Sequence, residues 1–156
     1  MSTTKREIEK EIYMAFADIA SSIGYSDING RILAALLVTG KTMSMKELAK
    51  EVGVSSAAIS LSLDLLEFLG MIKKIKKVGD RNLYIELQGD LLDGLKRAFV
   101  IKIHKSVGDS LERFAKYRKE LQGEENKDVL RTLNIIEAQV KRLNTYVEML
   151  AKLKLP

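Results

Sequence analysis

Along most of this chain the apolar residues recur every three or four positions, the period of a helix packed on one side, and only the short stretches 72–76 and 83–87 interleave apolar with polar residues as strands do. In residues 6–23 the apolar positions are Ile8, Ile12, Ala15, Phe16, Ile19 and Ile23, a stripe that stops at Gly24 and predicts a first helix. Ser26 can cap a second helix through Thr39, burying Ile28, Ile32, Leu33, Leu36 and Leu37, with Gly40 where a left-handed C-terminal residue is wanted. Ser44 and Glu47 have the spacing of a capping box, in which each side chain satisfies the other's backbone N–H, and predict a short helix ending before Gly53. Ser55 caps the next, whose buried face is Ile59, Leu63, Leu66 and Leu69 and whose end is Gly70.

Residues 72–76 and 83–87 flank Val78, Gly79, Asp80, Arg81 and Asn82, which reads as a β-hairpin closed by a glycine-containing turn. A long helix follows over 90–121, with Leu92, Leu95, Phe99, Ile103, Val107, Leu111, Phe114 and Leu121 along one side and Gly94 and Gly108 as candidate kinks. After a loop at 123–126, Val129, Leu133, Ile136, Val140, Leu143, Val147 and Leu150 alternate spacings of four and three, the seam of a coiled coil. Such a seam needs a partner helix, the preceding long one folded back on it or that of a second copy of the chain, and both are expected.

Short helix, glycine turn, serine-opened helix and basic hairpin is the order of a winged helix-turn-helix. The expected fold is therefore mainly α with a small β-wing. It is organised as an N-terminal arm (1–25), a winged helix-turn-helix (26–88) and a helical, coiled-coil dimerisation region (89–156).

With 156 residues, 46% of them apolar, the chain can build a core. Its +5 charge favours anionic partners. That surplus lies late: residues 1–40 hold 4 basic and 5 acidic side chains, 41–88 hold 8 and 6, and 89–156 hold 14 and 10. The absence of cysteine excludes disulfides and thiolate metal sites, and a lone His104 makes no histidine cluster, so neither a metal nor another cofactor is expected. The charged N-terminus lacks a secretory apolar region and no later run approaches the ~20 apolar residues of a membrane helix, so a cytoplasmic protein without membrane association is expected. No triad, metal set or paired carboxylates stand out, and enzymatic activity is not expected.

The segment from Ala35 to Thr42 matches a relaxed phosphate-loop pattern, but Ala35 to Val38 continues a helical stripe, so it reads as a helix end and a turn. In the expected recognition helix Ser55, Ser56, Ala57, Ser60 and Leu61 are the candidate DNA contacts. Serines can meet bases or phosphates, and alanine or leucine can pack on thymine methyls. That helix lacks Arg, Lys, Asn and Gln, and its charges, Asp64 and Glu67, repel phosphate. The hairpin supplies Lys73, Lys74, Lys76, Arg81 and Asn82, with Arg81 placed for a narrow minor groove. Leu111, Phe114, Val129, Leu133, Ile136, Val140, Leu143, Val147 and Leu150 are the candidate dimerisation residues, and Tyr13, Phe16, Tyr25, Tyr84, Phe99, Tyr117 and Tyr146 could wall an effector pocket.

Gly30-Arg31-Ile32, Leu36-Leu37, Gly40-Lys41, Glu47-Leu48-Ala49, Val54-Ser55, Ile59-Ser60, Leu66, Leu69-Gly70 and Gly79-Asp80-Arg81 with Tyr84 resemble the GbsR-like branch of the MarR superfamily. The match spans about 6–88; beyond it the resemblance is architectural. It implies a homodimer joined by its terminal helices, two winged helices in adjacent major grooves of double-stranded DNA, and an affinity that a small-molecule effector can change. Carried onto this chain, Ser55, Ser56 and Ser60 would touch DNA from the recognition helix and Arg81 from the wing. Leu61 and Asp64 depart from the polar or basic residues common in relatives. The competing reading is a protein-interaction module whose winged helix has lost DNA binding.

Overall fold

The structure, a computed structural model, describes residues 2–156. In chain order its elements are α1 (Lys5–Ser22), α2 (Asp27–Thr39), β1 (Met43–Ser44), α3 (Met45–Val52), α4 (Ser56–Phe68), β2 (Ile72–Lys76), β3 (Leu83–Leu87), α5 (Leu91–Glu120), a 3-10 turn (Glu124–Asn126) and α6 (Lys127–Lys152). The mainly helical fold with a small β-wing is as expected. The chain forms two compact units, residues 1–94 and 95–156, the boundary falling within α5.

The core of the first unit is built on α2, whose Ile32 and Leu36 are buried, as are Leu48 and Val52 of α3, Ile59, Leu63 and Leu66 of α4, Ile72 of β2 and Ile85 of β3. Each such side chain stabilises the fold by roughly 1.5–3 kcal/mol relative to leaving it in water. The hydroxyls of Ser26, Ser44 and Ser55 accept from the N–H groups of Ile28, Glu47 and Ala58, satisfying donors that the first helical turn leaves free. The capping box expected at Ser44 forms only in that one direction, because Ser44 also belongs to β1, in register with Tyr84. The reciprocal box forms instead at Thr4 and Glu7, where the Thr4 N–H donates to the Glu7 carboxylate at 2.7 Å.

α1 packs on α2 with Gly30 at the crossing: a Cβ there would lie 2.1 Å from the backbone oxygen of Phe16. The apolar stripe of α1 is correspondingly split. Ala20 is buried, Phe16 and Ile23 are half-buried, and Ile8, Ala15 and Ile19 are exposed. Two side-chain bonds tie this pair to α3: the Tyr13 hydroxyl donates to Glu51 at 3.1 Å, and the Arg31 guanidinium donates to the Val52 carbonyl at the end of α3. Gly53 follows with φ +76, the left-handed C-cap that turns the chain towards α4.

The sheet is antiparallel in the order β1-β3-β2, with Ile75 opposite Tyr84 and Lys74 opposite Ile85. The hairpin lies where the alternation places it. The third strand, β1, is not visible in the sequence pattern, because two residues cannot display a period. Gly94 sits where a Cβ would come 2.4 Å from Cγ of the buried Met71, so it serves close packing. Helical structure continues through both Gly94 and Gly108, so neither breaks α5.

In the second unit α6 runs antiparallel to α5, since Arg118 bonds Asn134 (2.9 Å) and Glu137 while the Lys96 ammonium donates to the Leu153 carbonyl (3.1 Å). The covered line of α6 is Leu130, Leu133, Glu137, Val140, Asn144, Val147 and Ala151, again spaced by threes and fours. It is the expected seam turned by about one residue. Leu133 and Val147 are buried and Val140 and Leu150 half-buried, but Val129, Ile136 and Leu143 are 52%, 44% and 47% exposed. Polar Glu137 and Asn144 take places that hydropathy assigns to apolar side chains. Arg118 and then Lys141 hold the Glu137 carboxyl at about 2, far below its ordinary 4.5.

Candidate nucleic-acid interface

α4 buries one face completely and presents the other to solvent. Ile59, Ser62, Leu63 and Leu66 point inward, while Ser56, Ala57, Ser60, Leu61, Asp64, Glu67 and Phe68 are exposed. The sequence-derived outward face of α4 is therefore the observed one. Ser55 caps the helix and is itself exposed, so its hydroxyl already accepts from the Ala58 N–H at 3.2 Å. The first turns of α4 carry no formal charge; its acids, Asp64 and Glu67, lie in the later part.

Lys74 of β2 reaches those acids. Its ammonium bonds the Asp64 carboxylate and lies 3.7 Å from Glu67. The hydrogen bond to Asp64 raises the lysine's pKa and keeps it cationic. Of the wing lysines expected to contact DNA, Lys74 thus bridges the wing to α4 and offsets the carboxylate of Asp64. Lys73 and Lys76 are exposed and have no partner among the described residues.

The wing tip is braced by Asp80. One carboxylate oxygen accepts from the Asn82 N–H at 2.9 Å and the other from the Tyr84 hydroxyl at 2.6 Å. The Tyr84 hydroxyl, then the Asn82 N–H, hold the Asp80 carboxyl below its ordinary range. The Lys77 ammonium stands 4.2 Å over the Tyr84 ring, a cation–π contact that fixes the other side of the turn. Gly79 provides the left-handed residue at φ +80. Arg81 and Asn82 project from this frame into solvent, and Arg81 has neither ion pair nor side-chain hydrogen bond among the described residues. Asp80, Tyr84 and Lys77 brace the wing tip, a role that the sequence does not show because it depends on the turn geometry.

A cleft of about 310 Å³ opens beside α2, lined by Leu36, Leu37, Gly40, Lys41, Thr42, Glu86 and Leu87. The Thr42 hydroxyl faces Glu86 at 3.3 Å. None of the aromatic residues considered for an effector pocket lines this cleft. Gly40 caps α2 at φ +64, so Ala35 to Thr39 is a helix end and no phosphate loop. No group of three or more His, Cys, Asp or Glu among the described residues could hold a metal ion, and no helix among them is long and apolar enough to cross a membrane.

Of the candidate dimerisation residues, Leu111 and Phe114 are half-buried on α5. On α6 the exposed Val129, Ile136 and Leu143 continue into exposed Tyr146 and Met149, with exposed Leu153 just past the helix end, as an outward apolar strip.

No protein-family model matches this chain, and no curated protein does. Among solved structures the chain is similar to one described as a transcriptional regulator, at 20% identity and a TM-score of 0.64, covering 93% of this chain and 97% of that one. Looser likenesses include a Staphylococcus aureus MepR variant bound to an oligodeoxyribonucleotide (18% identity, TM-score 0.44, 86% and 94% covered). BldR from Sulfolobus solfataricus is similar at 22% identity and a TM-score of 0.43, with 86% and 89% covered. At such identities the likeness speaks to the fold, and the fold it supports is the winged helix that the element order and register already describe.

Proposed function

We propose that the protein is a homodimeric, duplex-DNA-binding transcriptional regulator, of the GbsR-like branch of the MarR superfamily, that represses by occupying a pseudo-palindromic operator in the cytoplasm. The observation that carries this is the pairing of an outward, uncharged α4 N-terminal face with a braced wing whose Arg81 has no partner among the described residues. Ser55, Ser56, Ala57, Ser60 and Leu61 meet the major groove. Arg81 and Asn82 meet the minor groove, and Lys73 and Lys76 the phosphates. Lys74 serves this surface indirectly, by neutralising Asp64. The similar solved structure described as a transcriptional regulator supports the reading at the level of fold.

Dimerisation belongs to the apolar strip of α6 around Ile136 and Leu143, with the exposed Ile8 and Ile19 of α1 as a second contribution. Left in water, such side chains forgo roughly 0.8 kcal/mol for each methylene a partner could cover. The amphipathic cleft at Lys41, Thr42 and Glu86 is the place we assign to a small effector.

Purified protein is mixed with fragments of the source genome and eluted across a salt gradient. Recovery of a shared palindrome that survives moderate salt is expected; uniform recovery lost at low salt would reduce the activity to backbone binding. A second reading, a protein-interaction module, draws on the exposure of Leu61 and Phe68 beside Asp64 and Glu67. It predicts no duplex binding even at low salt and one stoichiometric protein partner.

A further inference from the structure

The outward face of α4 has a chemistry that narrows what it can read. Paired hydrogen bonds to guanine or adenine need Arg, Lys, Asn or Gln, and α4 contains none. It offers instead two serine hydroxyls, Ser56 and Ser60, and beside them an apolar line one turn long, Ala57 and Leu61. Leu61 is 74% exposed, on a helix whose opposite face is a complete core. The nearest acid on the helix, Asp64, is held by Lys74.

In the major groove the one apolar group on a base edge is the C5 methyl of thymine. We propose that Leu61, with Ala57, determines specificity by packing on thymine methyls, so that this protein selects its half-sites by apolar packing on methyl groups and not by paired hydrogen bonds. The inference rests on the DNA-binding reading above. Ala57 and Leu61 are separated by ~6 Å along the helix axis and base steps by ~3.4 Å, so the methyls they touch lie one to two steps apart. The charge around the face fits this partner: Lys73, Lys76 and Arg81 are exposed and unpaired among the described residues, which suits a polyanion. An Arg at the wing tip favours the narrow minor groove of A·T-rich sequence, so both elements select the same composition.

The test uses the full chain and the duplex bounded by its footprint on selected genomic DNA, synthesised with thymine and with uracil in the half-sites. Uracil removes only the methyl and leaves pairing and minor-groove edges intact. Affinity is expected to fall roughly fourfold for each packed methyl that uracil removes, the equivalent of one buried methylene. In Leu61→Ala, whose side chain is exposed and carries no core packing, the preference for thymine over uracil should shrink, leaving the part that Ala57 supplies. Equal binding of both duplexes by the unaltered protein overturns the inference while leaving DNA binding intact, and discrimination undiminished in Leu61→Ala overturns the role of Leu61. No binding to any duplex would overturn the underlying reading itself.

Discussion

Asp80 and Arg81 are neighbours with opposite tasks. Asp80 is turned into the wing, accepting from Asn82 and Tyr84, and Arg81 is turned out with no partner among the described residues. Replacing Arg81 by Ala should weaken duplex binding and lower the magnitude of the slope of log affinity against log salt by about 2, because a dimer loses two cations that displace counterions at the minor groove. Fluorescence anisotropy on one duplex over a salt series measures both. Asp80→Ala keeps Arg81 but unties the turn; its expected result is weaker binding with the salt slope retained, since positioning is lost and charge is not. The candidate role of Arg81 is legible from a lone arginine in a glycine-containing turn. The bracing by Asp80 is not, because it depends on a tyrosine hydroxyl from the following strand reaching back four residues.

Among the elements, α1 and α2 are joined at a glycine whose neighbour is backbone. Gly30→Ala places a Cβ 2.1 Å from the Phe16 oxygen, and backbone cannot rotate aside as a side chain can. The expected loss is about 1–3 kcal/mol of stability, or more if the helices separate, read from denaturant unfolding. Against α5, α6 shows where hydropathy misleads. The four-three repeat has the right period, and the covered line is shifted by a residue because Glu137 and Asn144 enter it, one of them satisfied by Arg118. A carboxylate can occupy such a line when a guanidinium meets it, and no apolar pattern contains that information. The depressed pKa of Glu137 gives the pH dependence its sign. The contribution is complete above its ordinary 4.5 and is lost as pH falls towards about 2. Thermal melting of the unaltered protein and of Glu137→Gln should therefore differ at neutral pH and converge near pH 2. A difference unchanged across that range would contradict the pairing.

For the whole molecule, the sequence carries the element order, the place of the hairpin and the inward face of α4, because each rests on local periodicity and on capping residues that act within four positions. It does not carry β1, the ties Tyr13–Glu51 and Arg31–Val52, or the offset of Asp64 by Lys74, all of which join residues distant in sequence. Assembly belongs to this scale. The strip containing Ile136 and Leu143 stays in water in one chain, and Leu143→Glu places a charge at its middle. Sedimentation equilibrium should find a dimer for the unaltered protein and a monomer for the variant, with helical content unchanged because Leu143 is half-exposed and outside the covered line. Hydroxyl-radical footprinting on a selected genomic fragment shows whether a dimer places two winged helices on one duplex. Two protected patches about one helical turn (~34 Å) apart, both lost in Leu143→Glu, are the predicted result. A single patch unaffected by that substitution, or no protection at any protein concentration, would contradict it.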